Sequence, residues 1–99
     1  MYKIFKYPLD VTDVQTLKLP VGATILTAMN QFETICIWAK ISTTSYDAKK
    51  FRDRTIYIFG TGNPVPNVEM KYINSVALEG GRLIFHVFES LAPKADDKQ

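Results

Sequence analysis

Thr34-Ile35-Cys36-Ile37-Trp38-Ala39-Lys40-Ile41-Ser42 decides the fold. Its side chains alternate: Ile35, Ile37, Ala39 and Ile41 fall on one face of an extended chain, Cys36, Trp38 and Lys40 on the other. That period of two marks a β-strand with one face in a core. Upstream, Thr24–Gln31 has the same character, joined to it by a tight polar connection around Gln31–Glu33. Further out, Tyr2–Tyr7 stops at Pro8 and Val14–Leu19 stops at Pro20, residues that cannot donate to a ladder. Downstream, Arg54–Phe59, Met70–Leu78 and Arg82–Ser90 complete the set, the last two joined by Glu79-Gly80-Gly81. Paired glycines between alternating segments signal a hairpin, since both accept the positive φ of a primed turn. Ser42–Asp53 lacks strand character and reads as a loop or a single helical turn.

This rhythm predicts an all-β, antiparallel sandwich or barrel of about seven strands with little helix. With 99 residues the chain holds one domain, read over residues 1–91, and the polar end over residues 92–99 is expected to be a solvated tail. Hydrophobic residues at 46% and charged residues at 22% exclude a disordered chain. The net charge of +2 is too small for a nucleic-acid duplex as main partner, whereas a small anion needs only a local cluster of cations. The charged, alternating start at Met1–Lys6 is no signal peptide, and no apolar run reaches the length of a membrane span. A cytoplasmic protein without membrane contact is expected.

Catalytic chemistry finds few candidates. Cys36 and His86 are each the sole residue of their type, which excludes a disulfide, a cysteine-rich zinc site and a histidine cluster. Cys36 lies within an apolar strand and reads as a small hydrophobe. The acidic residues form no acid–base pair. No catalytic residue, metal or cofactor is assigned. His86 shares a strand face with Ile84 and Phe88, and that face packs, meets a partner or meets a ligand.

Binding chemistry concentrates in Phe59-Gly60-Thr61-Gly62-Asn63-Pro64-Val65-Pro66. Two glycines and two prolines fix the backbone, while Thr61, Asn63 and exposed amides offer donors for an anion. The same stretch also reads as a rigid connection between strands. Trp38 is core, or a flat surface for stacking. Lys49, Lys50, Arg52 and Arg54 are the densest positive stretch, a solvated loop or a source of charge for phosphates folded back over the Gly60–Asn63 loop.

Phe59-Gly60-Thr61-Gly62-Asn63-Pro64, the Lys6-Tyr7-Pro8-Leu9 start, Leu19-Pro20-Val21-Gly22-Ala23, Trp38-Ala39 and the Gly80–Glu89 ending resemble a family of small phage and prophage proteins, described only as a domain of unknown function. The likeness spans nearly all of residues 1–90. In size and make-up such proteins are similar to those with which phages counter bacterial immunity, among them oligomeric β-rich sponges for nucleotide signals. The resemblance implies a non-enzymatic homo-oligomer that sequesters a cyclic ADP-ribose isomer, an ADP-ribose conjugate or a cyclic dinucleotide in the infected host's cytoplasm. Under it, Arg52, Arg54 and Arg82 hold phosphates, Trp38 or Phe59 stacks on a base, the Gly60, Thr61, Gly62 and Asn63 amides orient the ligand, and His86 lines the site. The alternative is a protein-interaction module using an exposed strand edge or the Ile84/His86/Phe88 face.

Overall fold

Seven strands form: β1 (Tyr2–Pro8), β2 (Val14–Pro20), β3 (Thr24–Gln31), β4 (Thr34–Ser42), β5 (Phe51–Gly60), β6 (Met70–Leu78) and β7 (Leu83–Ser90). They belong to a computed structural model that describes residues 1–44 and 49–91. The expected tail over 92–99 lies outside the described residues, as does the 45–48 part of the expected loop or helical turn. β5 starts at Phe51, three residues before the expected Arg54, because Phe51, Arg52 and Asp53 pair with Pro20, Leu19 and Lys18 of β2. Such long-range pairing leaves no local trace in the sequence.

Two antiparallel sheets result, ordered β1-β4-β3 and β2-β5-β7-β6, so the fold is a sandwich. The inner face of β4 is the predicted one: Ile35, Ile37, Ala39 and Ile41 are all buried. Across the sheet interface Ile35 and Ile37 share one core with Ile56, Ile58, Val76, Leu78 and Val87. Each such side chain stabilises the fold by about 1.5–3 kcal/mol through loss of contact with water. Cys36, on the opposite face of β4, is buried and free of any disulfide.

Two of the four edge strands, β1 and β2, end in proline for a backbone reason. The Leu9 N–H donates to the Ile35 carbonyl and the Met1 carbonyl accepts from Thr43 N–H, so odd-numbered residues of β1 bond to β4. Even-numbered residues, Pro8 included, point their N–H positions away from the sheet. In β2 the Asp13 carbonyl and Val21 N–H bond to the β5 side, which leaves Pro20 facing outward in the same way. Proline is tolerated there because no ladder bond is lost.

Side chains close the remaining gaps between the sheets. β6 is bulged between Tyr72 and Asn74, and there Asn74 Nδ2 reaches the Ala28 carbonyl at 3.0 Å and Thr27 Oγ1 at 3.1 Å on β3. At the other end Arg54 binds the Glu89 carboxylate through Nε and, at 3.0 Å, through Nη2, while Nη1 donates to the Ala23 carbonyl at 3.0 Å.

The two hairpin turns depart from expectation in detail. The β3–β4 connection has two residues, Phe32 (φ 53°) and Glu33 (φ 62°), the primed geometry that usually selects Asn-Gly. Its tip is therefore aromatic rather than polar, with Phe32 92% exposed. Between paired Leu78 and Leu83 the second turn spans four residues, with Glu79, Gly80 and Gly81 all at positive φ. Arg82 consequently lies in the turn, its N–H bonded to the Glu79 carbonyl, instead of opening β7. Glu33 ties these turns together: one carboxylate oxygen accepts from Asn30 Nδ2 at 2.9 Å and the other from Glu79 N–H at 2.7 Å. The Asn30 bond, followed by the Glu79 amide, holds the Glu33 carboxyl below its ordinary pKa.

Candidate functional site

β5 and β6 run in the same direction with β7 between them, so the chain from Thr61 to Glu69 must travel the length of the sheet to connect them. It does so over the outer face of the four-stranded sheet, as a strap. The strap begins with a tight turn in which Asn63 N–H donates to the Gly60 carbonyl at 3.1 Å and Gly62 takes φ 90°. Positive φ at the third position defines a type II turn and accounts for glycine there. Gly60 serves another purpose, because a Cβ on it would come within 3.0 Å of Asn63 Nδ2. Pro64 and Pro66 then carry an extended chain past Tyr57 and Phe59.

Beneath the strap the outer face is aromatic. Tyr57 stacks on Phe59 with centroids 5.7 Å apart, Phe59 meets Phe88 edge-on at 5.9 Å, and Phe88 meets Tyr72 at 5.4 Å. Phe59 is only 6% exposed, so the predicted stacking role is closed to it. Tyr72, 52% exposed, keeps open aromatic surface.

His86 lies opposite Phe59 on one side and Ser75 on the other. Its Nδ1 is 2.7 Å from Ser75 Oγ, its Nε2 is 2.7 Å from Thr61 Oγ1, and Ser75 Oγ is 2.7 Å from the Tyr72 hydroxyl. Hydroxyls both donate and accept, so either imidazole tautomer is satisfied. The ring thus pins the start of the strap to β6. As the sequence suggested, it shares the outer face with Ile84 and Phe88; part of what covers that face is the chain's own strap.

Two grooves flank the strap and share Asn63. One, of ≈ 380 Å³, is lined by Gly60, Thr61, Asn63, Arg82, Leu83, Ile84 and Phe85. The other, of ≈ 390 Å³, is lined by Asp13, Val14, Tyr57, Phe59, Asn63, Pro64 and Pro66. Arg82 supplies the cation of the first groove, exposed and without an ion-pair partner among the described residues. Asp13 makes the second groove the poorer place for an anion.

Of the residues singled out from sequence, Phe59, Gly60, Thr61, Gly62, Asn63, Arg82 and His86 converge here. Three do not. Arg54 points between the sheets, and its guanidinium is occupied by Glu89 and the Ala23 carbonyl. Arg52 lies on β5 itself, eight residues of extended strand from Gly60, or about 27 Å away, so it cannot fold back over the loop. Trp38 is half-buried on the outer face of the other sheet, between Lys6 and Thr27. The expected row of amides is also reduced: Thr61 N–H donates to the Ile84 carbonyl and Asn63 N–H to the Gly60 carbonyl, so neither is open to a ligand. Sequence reasoning missed Tyr57, Tyr72 and Ser75. Alternation with Phe59 could have shown Tyr57, whereas the β6 bulge that brings Tyr72 and Ser75 to one face is invisible to a simple period of two.

Residues 1–98 match a protein-family model described as a domain of unknown function (DUF7352), and the chain belongs to that family. No curated protein and no solved structure matches it. No helix among the described residues is long and apolar enough to cross a membrane.

Proposed function

We propose that this domain is a non-enzymatic binding protein whose site is the pair of grooves along the Gly60–Pro66 strap. The ligand it suits joins one anionic group to a flat ring, the chemistry of a nucleotide-derived signal. The observation that carries the reading is Arg82, an exposed guanidinium without an ion-pair partner among the described residues, which lines one groove together with Thr61 and Asn63. From there a ring reaches past Asn63 to Tyr57 and the two prolines, where stacking adds affinity. A single cation suits one phosphate better than the two of a cyclic dinucleotide, which narrows the ligand class that the sequence suggested. Sequestration of such a signal by a phage protein in the host cytoplasm is the setting in which a binder without chemistry is useful.

A thermal-shift screen of mono- and dinucleotides tests this, since a ligand that binds only the folded state raises Tm by mass action. At a concentration one hundred times Kd the gain is about 2.7 kcal/mol. The expected hit is a mononucleotide-type anion recovered chemically intact after heat denaturation. Flat melting curves across the panel would remove the reading, and an altered ligand would make the protein an enzyme.

A further inference from the structure

We infer that β1 is a self-association edge, at which a second copy of this chain adds its own β1 antiparallel and continues the three-stranded sheet into one of six strands. Among the described residues β1 has a single neighbour, β4. Because its odd-numbered residues bond to β4, the main-chain N–H and C=O groups of Tyr2, Ile4 and Lys6 all face the open side. The side chains there are apolar beyond what an isolated edge needs: Tyr2 is 65%, Ile4 58% and Phe5 45% exposed. Edge strands normally carry standing lysines that repel a second strand. Here Lys6 turns back across its own sheet to Gln31 Oε1, so its ammonium does not guard the edge.

The strand is complementary to itself in one register. With Ile4 of both copies on the twofold axis, Tyr2 meets Lys6 of the second copy and Lys3 meets Phe5 of the second copy. Facing residues then share a sheet face, and no lysine opposes a lysine. Tyr2, Ile4 and Lys6 form three facing pairs that exchange two hydrogen bonds each, six in all. Pro8, which has no N–H to offer, falls just outside the paired segment. β2, an edge of the four-stranded sheet, is a poorer candidate: its outward positions Val14, Thr16, Lys18 and Pro20 are mostly polar or lack a donor. A twofold interface of this kind is isologous and closes at the dimer.

The interface is small, so the expected affinity is in the micromolar range rather than that of an obligate dimer. Sedimentation velocity across protein concentration reads it as a rise in mass from 11.2 kDa toward twice that value. Ile4→Lys sets two lysines against each other on the axis, and Ile4→Pro removes an outward N–H without touching a bond to β4. Both are expected to weaken association at least tenfold while Tm at low concentration is unchanged, and Thr16→Lys at an exposed outward position of β2 is expected to leave it intact. A wild-type chain that stays monomeric to millimolar concentration would overturn the inference. So would Ile4 variants that associate as well as wild type, or disruption by Thr16→Lys equal to that by Ile4→Lys. This outcome is independent of the strap, since Arg82→Ala removes nothing from the β1 edge.

Discussion

Arg54→Ala is expected to be among the most damaging surface-to-core substitutions in the chain, although its sequence context reads as a solvated basic stretch. The Arg54 and Glu89 side chains retain only 20% and 13% exposure, and three guanidinium nitrogens donate to Glu89 and to the Ala23 carbonyl. Removing the arginine leaves a mostly buried carboxylate and a backbone carbonyl without their partner. Breaking a fully buried pair costs about 3–5 kcal/mol, and the residual exposure here lowers that to about 2–4 kcal/mol. In a domain of this size each kcal/mol moves Tm by about 4–8 °C, so a drop of about 8–32 °C is expected. Urea melts of wild type, Arg54→Ala, Glu89→Ala and the double variant form a cycle whose two single losses are far from additive. Arg54→Met with Glu89→Leu should restore most of the stability, because a packed apolar pair replaces the ions. Exposed Arg52→Ala should change stability by no more than about 0.5 kcal/mol. An Arg54→Ala variant as stable as Arg52→Ala would show that the Glu89 pair contributes nothing and return Arg54 to the pool of available cations.

Gly62→Ala forces an L side chain into φ 90° at the strap's turn and should destabilise by about 1–2 kcal/mol, read by chemical denaturation; no loss would mean that the turn is not held as described. Phe32→Asn places the residue a primed turn prefers at φ 53° and should stabilise by about 0.5–1 kcal/mol, since the exposed ring contributes no packing there; a loss would show that Phe32 is held by contacts of its own. The Glu33 carboxyl is held below its ordinary pKa, so its stabilising contribution is full above the unfolded value near about 4.3 and is lost as pH falls through the lower folded value. The stability gap between wild type and Glu33→Gln should therefore be flat from neutral pH to about 5 and close in acid, as followed by pH-dependent melting. A gap that widens in acid has the wrong sign.

Much of the fold was legible because it rests on local signals. Period-two alternation located the strands, and Pro8 and Pro20 marked the ends of two edge strands. Ile35, Ile37, Ala39 and Ile41 declared the buried face of β4. What stayed hidden depends on contacts distant in sequence. Nothing near Arg54 reveals that Glu89, thirty-five residues on, claims it. The bulge in β6 shifts which residues accompany His86, and the exit of β5 at the far end from Arg52 follows from strand direction. The Gly/Pro segment was found as a rigid piece of chain, but its course over Phe59 follows from β5 and β6 running the same way with β7 between them. That course closes Phe59 and opens the grooves beside Asn63 and Arg82.

Calorimetric titration of the strongest nucleotide hit into wild type, Arg82→Ala and Arg52→Ala distinguishes a site at the strap from one at the other end of β5. The strap site predicts at least tenfold weaker binding to Arg82→Ala, about 1.4 kcal/mol or more, and wild-type affinity for Arg52→Ala. Equal affinity for all three proteins, or a loss confined to Arg52→Ala, would contradict it and move the site away from the strap.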